Sequence, residues 1–160
     1  LCLQWHRTEG LDVVIARPFN HIGPGQDGRF VVPALARQVV AIERGQRQAI
    51  EAGDIDTTRD FTDVRDIVGA YAAMLRDGRA GATYCVGSGR ERRVRDLLEM
   101  MCAIAGVNPD IHQDPSKMRP AEQRRMAADA ALLARDTGWA PRIALETTLH
   151  DILNDSRIHS

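Results

Sequence analysis

The stretch Leu11-Asp12-Val13-Val14-Ile15-Ala16, followed at once by Arg17-Pro18-Phe19-Asn20-His21-Ile22-Gly23-Pro24-Gly25-Gln26, decides the fold class. Its first part is nearly continuous in apolarity and rich in β-branched residues, the pattern of a parallel strand covered by helices on both faces. Parallel neighbours are reached through βαβ crossovers, and none precedes Leu11. The expectation is therefore the C-terminal part of a longer α/β protein. Leu1 to Gly10 fits it, reading as the last turns of a helix that ends at a C′ glycine.

Downstream, helical and extended patterns alternate. Residues 30–44 predict a helix, with Pro33 in its first turn, Gly45 just past its end, and Val39, Val40 and Ile42 on its apolar face. Residues 49–61 read as two short extended pieces around Gly53-Asp54. Val64, Ile67, Val68, Tyr71, Met74 and Leu75 recur at helical spacing, with Thr62 or Asp63 as the cap. Tyr84-Cys85-Val86 is a short buried strand before Gly87-Ser88-Gly89. Arg90-Glu91-Arg92-Arg93 then reads as a solvated helix start, and Val94, Leu97, Leu98, Met101 and Ile104 as a buried stripe. Residues 129–137 and 145–154 read as short helices around Gly138-Trp139-Ala140-Pro141.

Composition removes several classes of function. The 160 residues carry 21 Lys plus Arg against 22 Asp plus Glu, a net charge of −1, which lacks the basic excess that attraction to nucleic-acid phosphates requires. No run approaches the roughly 18 consecutive apolar residues of a membrane span, so neither nucleic acid nor membrane is expected as a partner. Cys2, Cys85 and Cys102 have no CxxC spacing and read as buried thiols of a cytoplasmic protein. His6, His21, His112, His150 and His159 form no HxxxH or HExxH pair, so no metal is expected. The chain also has no GxSxG, no P-loop and no GxGxxG after a strand.

Three places can carry chemistry. The Pro/Gly-rich loop from Arg17 to Gln26 lies where ligands of open α/β sheets bind, beyond the carboxyl end of a strand; it also reads as an ordinary strand-to-helix turn. In Arg59-Asp60-Phe61-Thr62-Asp63-Val64-Arg65-Asp66, Arg59 precedes a helix start already supplied with negative charge, so it does not serve the helix dipole. Its planar fork suits a phosphate, although on these residues alone a surface pair with Asp60 or Asp63 is the favoured reading. Arg65 and Asp66 read as solvated or capping residues. In Asp114-Pro115-Ser116-Lys117-Met118-Arg119-Pro120-Ala121-Glu122, Arg119 is held extended by the following proline, with Glu122 three residues on. A guanidinium and a carboxylate displayed together can serve phosphates and a ribose diol; Pro120 and Glu122 could also simply start a helix.

In order along the chain, R-P-F-N-H-x-G-P-G-Q, R-D-F-T-D-V-R-D-I-V-x-A-Y, Y-x-V-G-S-G, D-P-S-x-x-R-P-x-E and T-G-W-x-P resemble the C-terminal half of an extended short-chain dehydrogenase/reductase. Within that group, the NAD-dependent epimerase/dehydratase family acting on nucleotide sugars, the chain is most similar to the GDP-6-deoxy-4-keto-D-mannose reductases. GDP-mannose 4,6-dehydratases share the Asn-His pair but continue into a more polar and basic loop. The resemblance covers essentially the whole chain.

That resemblance implies an α/β fold, the C-terminal part of an extended Rossmann-fold protein: the last parallel strands plus a small α/β substrate-binding lobe. Residues 1–28 would end the cofactor domain, and residues 29–160 would be mainly the nucleotide-sugar lobe with returning Rossmann elements. It implies Asn20 and Arg59 on the pyrophosphate of a GDP-sugar, Arg119 on the diphosphate or ribose, and Glu122 accepting from the ribose hydroxyls. Pro18, Phe19 and His21 would line the nicotinamide end of NADP or NAD, itself bound mainly by an N-terminal half. The implied reaction is reduction of the C4 keto group of GDP-4-keto-6-deoxy-D-mannose to GDP-D-rhamnose in a homodimer. The family's Y-x-x-x-K acid/base pair is not in this chain, whose only lysine is Lys117, so no catalytic residue is expected here. A GDP- or dTDP-sugar 4,6-dehydratase, an epimerase and a non-catalytic nucleotide-sugar-binding fragment are the alternatives.

Overall fold

A computed structural model describes residues 1–117 and 125–159. In chain order these form α1 (Cys2–Glu9), β1 (Ile15–Pro18), β2 (Asn20–Ile22), α2 (Val31–Glu43), β3 (Ala49–Ala52), β4 (Thr58–Asp63) and α3 (Val64–Asp77). There follow β5 (Thr83–Val86), β6 (Glu91–Arg93), α4 (Val94–Ala105), β7 (Asp110–Gln113), a 3-10 turn (Pro115–Lys117), α5 (Ala131–Thr137) and α6 (Leu145–His159). The described residues divide into two compact units, one from segments 1–21, 60–90 and 127–143, the other from 22–59, 91–126 and 144–160.

In the first unit β1 runs parallel to β5, in register from Ile15 opposite Thr83 to Pro18 opposite Val86. The strand begins four residues later than the apolar run from Leu11 suggests, and Leu11 is exposed. Apolarity marks burial, whereas the ladder starts where a partner exists: Gly81 N donates to Val13 O at 2.8 Å and Ile15 N to Ala82 O at 3.0 Å. The core of this unit gathers Ile67, Ala70, Met74, Tyr84, Val86, Leu133 and Trp139, with Val14 and Ala16 packed against it. Before β1, α1 ends as expected at Gly10, whose φ of 66° is left-handed and comfortable only for glycine.

Helix α3 starts at Asp63, whose side chain accepts from Arg65 N at 2.8 Å. Its apolar residues divide between two faces. Ile67 and Met74 are buried beside Ala70 and Ala73, while Val68 and Leu75 stand 60% and 86% exposed. The alanines give the core-facing side its close approach, so the single stripe read from the sequence is really two. Asp66, read as solvated or capping, is buried: its Oδ2 accepts from Arg142 N at 3.0 Å and Ile143 N at 2.9 Å, and its carbonyl accepts from Trp139 Nε1 at 3.1 Å. One acidic residue thereby fastens the Trp139–Ile143 turn to α3. The fully buried Tyr84 donates its hydroxyl proton to Asp136 Oδ2 at 2.8 Å and accepts from Arg79 N at 2.9 Å.

In the second unit α2 packs against α4 and α6, closing a core of Val32, Leu35, Val39, Leu97, Leu98, Met101, Leu149 and Leu153. Strand β3 runs parallel to β7, from Ala49 opposite Asp110 to Ala52 opposite Gln113. Strand β7 escapes sequence reading because Asp110-Ile111-His112-Gln113 has a single apolar residue. The residues Glu91-Arg92-Arg93, read as a helix start, form β6 instead, and α4 begins only at Val94. Helix α6 continues to His159 rather than stopping near 154, and its last turns are tied by a two-pronged pair from Arg157 to Glu43 at 2.9 Å on each prong.

Replacing Asp66 by Ala leaves two main-chain donors of the 142–143 turn without their acceptor, and we expect a loss of about 2–3 kcal/mol in denaturant unfolding. A loss below about 0.5 kcal/mol would contradict the fastening role. The Tyr84 hydroxyl first, then Arg135, holds the Asp136 carboxyl below its ordinary 3.8. A carboxyl depressed on folding adds stability above its unfolded value, and that increment is lost as pH falls through the folded value. The stability gap between wild type and Tyr84→Phe should therefore be full near about pH 6 and shrink below about pH 4. A gap that stays constant on acidification would oppose this.

Candidate functional site

The carboxyl end of β1 delivers the chain into the loop that the sequence marks. Pro18, the last residue of the strand, is exposed; its fixed φ and missing N–H suit the end of a ladder. Phe19 is half-buried, and its amide donates to Val86 O at 2.8 Å, extending the β1–β5 pairing by one bond. Asn20 and His21 open β2 and are both exposed, with His21 Nδ1 3.1 Å from Phe19 O. Strand β2 lies next to β4, and β4 next to β6. Arg59 sits half-buried on β4, and its Nη1 donates to Thr58 O at 2.7 Å.

Directly after Arg59 comes a fully buried carboxylate. Asp60 Oδ1 accepts from Ser88 N at 2.9 Å and Ser88 Oγ at 2.5 Å, while Oδ2 accepts from Gly89 N at 2.8 Å and Ala128 N at 3.0 Å. Sequence reasoning offers Asp60 as a surface partner for Arg59; the structure gives it to main-chain donors instead. Gly87 faces the same carboxylate. A Cβ there would lie 2.8 Å from Asp60 Oδ2 and 2.6 Å from the Ala128 Cβ, so only glycine fits. The available signal was an acidic residue inside a short strand otherwise destined for burial, a placement that demands several donors.

Arg119 and Glu122 lie outside the described residues. On one side of them, Asp114 N donates to Ala52 O at 2.8 Å, and the Asp114 side chain accepts from Ser116 N at 2.9 Å and Ser116 Oγ at 2.7 Å. On the other, Arg125 Nε donates to Glu91 Oε2 at 2.9 Å, an oxygen that also accepts from Thr58 Oγ1 at 3.3 Å. Of the residues singled out from the sequence, the structure therefore brings Pro18, Phe19, Asn20 and His21 together at the end of β1, and sets Arg59 on β4.

The thiols differ from the sequence expectation. Cys102 is buried, and burial pushes its thiol above the ordinary range with a further push from Glu99; Cys85 is half-buried and Cys2 is exposed on α1. Helix α1 buries none of its residues, which is why Cys2 is not covered. Among the described residues no group of three or more His, Cys, Asp or Glu side chains could hold a metal ion, and no helix is long and apolar enough to cross a membrane.

Parallel strands connected through helices, with a Pro/Gly-rich loop and an Asn-His pair at a strand's carboxyl end, define an α/β protein of the Rossmann type found in short-chain dehydrogenases/reductases. The chain belongs to the GDP-mannose 4,6 dehydratase family, whose model matches residues 1–152. It is 50% identical to the GDP-6-deoxy-D-mannose reductase of Pseudomonas aeruginosa over 156 residues, 97% of this chain and 51% of that protein. It is 32% identical to the dTDP-glucose 4,6-dehydratase of Streptomyces niveus over 144 residues, 90% of this chain and 41% of that one. Among solved structures, RMD from Pseudomonas aeruginosa complexed with NADPH superposes with a TM-score of 0.94 at 47% identity, covering 99% of this chain and 53% of that one. The dTDP-glucose 4,6-dehydratase of Streptomyces venezuelae with NAD bound gives 0.83 at 26% identity, covering 98% and 47%. The chain spans about half the length of the relatives it matches.

The burial order predicts a thiol order: in the folded chain of residues 1–160 an exposed-thiol reagent should modify Cys2 rapidly and Cys102 only after denaturation. Mass spectrometry of the labelled peptides checks it, and equal labelling rates would contradict the placement of Cys102.

Proposed function

We propose that this chain supplies the substrate-binding portion of an NAD(P)H-dependent reductase that converts the C4 keto group of GDP-4-keto-6-deoxy-D-mannose to the alcohol of GDP-D-rhamnose. The observation that carries this reading is the 50% identity to a GDP-6-deoxy-D-mannose reductase, against 32% to a dTDP-glucose 4,6-dehydratase. Residues 1–28 would then close the cofactor domain and residues 29–160 form mainly the substrate lobe. Asn20 and Arg59 serve the diphosphate and Arg119 the diphosphate or ribose, where each charge-assisted hydrogen bond to phosphate contributes about 1.5–3 kcal/mol once water is displaced. Glu122 offers two oxygens to the two ribose hydroxyls.

The residues at the end of β1 fit a nicotinamide. Pro18 is exposed at the carboxyl end of a parallel strand, Phe19 is anchored there by its amide bond to Val86, and His21 is exposed just beyond. A reduced nicotinamide supplies the hydride for the C4 carbon. This chain's part is to orient the sugar by its diphosphate, so that binding energy remote from the reacting carbon fixes the attack geometry. Proton delivery to the C4 oxygen falls to residues outside 1–160. Tyr84 is engaged with Asp136, neither Tyr84 nor Tyr71 stands in Y-x-x-x-K spacing, and Lys117 is the only lysine. A homodimer in the cytoplasm completes the proposal.

The test is product analysis with the full-length protein. NADPH or NADH should be consumed in equal amount with GDP-D-rhamnose formed from GDP-4-keto-6-deoxy-D-mannose. Dehydration of GDP-mannose, or no turnover of the keto sugar, would overturn the reading in favour of a dehydratase or a binding protein. Arg59→Ala should weaken GDP-sugar binding about 10- to 100-fold; an unchanged dissociation constant would remove Arg59 from the diphosphate.

A further inference from the structure

We infer that Asp60 is a positioning residue for nucleotide binding: its buried carboxylate fixes the turn after β5, and through it the backbone that carries Asn20 and Arg59. The inference rests on the proposed diphosphate roles of those two residues.

Asp60 is 0% exposed, and its oxygens accept from the amides of Ser88, Gly89 and Ala128 and the Ser88 hydroxyl at 2.5–3.0 Å, with a longer bond of 3.4 Å from Thr62 Oγ1 on its own strand. Three of the shorter bonds come from Ser88 and Gly89, and one from the amide of Ala128. Burying a carboxylate without such donors would be severely unfavourable, so the turn and the acid are mutually required. Val86, two residues before Ser88, accepts from the amide of Phe19 at 2.8 Å, and Phe19 is followed by Asn20. Asn20 opens β2, the strand beside β4. Arg59 is joined to Asp60 by one peptide bond, and neighbouring residues of a strand point to opposite faces. Fixing Asp60 inward therefore turns Arg59 to the other face of β4. Gly87 completes the fit, because any Cβ at that position would enter the space of Asp60 Oδ2 and Ala128.

Removing a carboxylate that only stabilised the fold would lower the unfolding temperature and leave ligand affinity alone. A positioning carboxylate changes both, and affinity most, because a misplacement of about 1 Å in a charged contact is costly. The experiment measures the dissociation constant for GDP by calorimetry on the full-length protein, well below its unfolding temperature. Asp60→Asn and Gly87→Ala perturb the clasp from its two sides, with Ser88→Ala as a milder variant that removes one donor should the others fail to fold. Tyr84→Phe, which breaks the unrelated Tyr84–Asp136 bond, serves as the control for stability alone.

Asp60→Asn and Gly87→Ala should each raise the dissociation constant about tenfold or more, and Ser88→Ala about two- to threefold. Tyr84→Phe should lower the unfolding temperature and leave the constant unchanged. In Asp60→Asn, hydrogen exchange at the amides of Ser88, Gly89 and Ala128 should accelerate. The inference fails if the clasp variants lose stability while GDP affinity stays at the wild-type value. Arg59→Ala, measured in parallel, separates the two ideas. If it weakens GDP binding and the clasp variants do not, the positioning role alone is wrong; if it has no effect, the diphosphate assignment is wrong and the positioning role falls with it.

Discussion

A carboxylate enclosed by main-chain donors is among the most exacting arrangements a protein can adopt, because its geometry is set from several directions at once. Asp60 is held in that way by the amides of Ser88, Gly89 and Ala128 and by the Ser88 hydroxyl. Segments that are 28 and 68 residues away in sequence meet at one side chain. No helix propensity or apolar stripe could bring them together with comparable precision, since hydrophobic burial is non-directional whereas hydrogen bonds to a carboxylate are not. The same unit repeats the device at smaller scale. Asp66 gathers the Arg142 and Ile143 amides, and Asp136 meets the buried Tyr84 hydroxyl. Buried or partly buried acids, each matched to donors, pin the turns beside the short strands.

The fold and its chemistry divide along this line. Apolar periodicity builds the helices and makes them pack: α2 with α4 and α6 in one unit, α3 with α5 in the other. Short parallel ladders then set strand ends to a single register, and the end of β1 is where Pro18, Phe19, Asn20 and His21 emerge. Pro18, Asn20 and His21 are exposed there, and exposed polar residues at such an end contribute little to stability. In the proposed reductase, the buried Asp60 would supply rigidity and Arg59, one position away, recognition.

Much of this was legible in the sequence. Gly10 and Gly45 marked helix ends, Pro33 marked a first turn, and Asp63 marked a cap, because each rests on local chemistry that a short stretch of sequence contains. The Arg17–Gln26 stretch and the resemblance it carries pointed to the right family. What escaped depended on partners distant in the chain. The start of β1 shifted to Ile15 because β5 sets it, and β7 formed from four residues with one apolar member because β3 offered an edge. Val68 and Leu75 look like core by periodicity, yet the alanines on the neighbouring face take that role. The same reason hid Asp66 and left Asp60 only the hint of its place in a strand destined for burial, since the donors of both acids lie far along the chain.

The most direct measurement is a crystal structure of the full-length protein with GDP and NADPH bound. Pyrophosphate oxygens should lie within hydrogen-bond distance of Asn20 and Arg59, the ribose diol on Glu122, and the nicotinamide ring against Pro18 and Phe19. A nucleotide whose phosphates are held by other residues, with Asn20 and Arg59 in water, would contradict the diphosphate assignment.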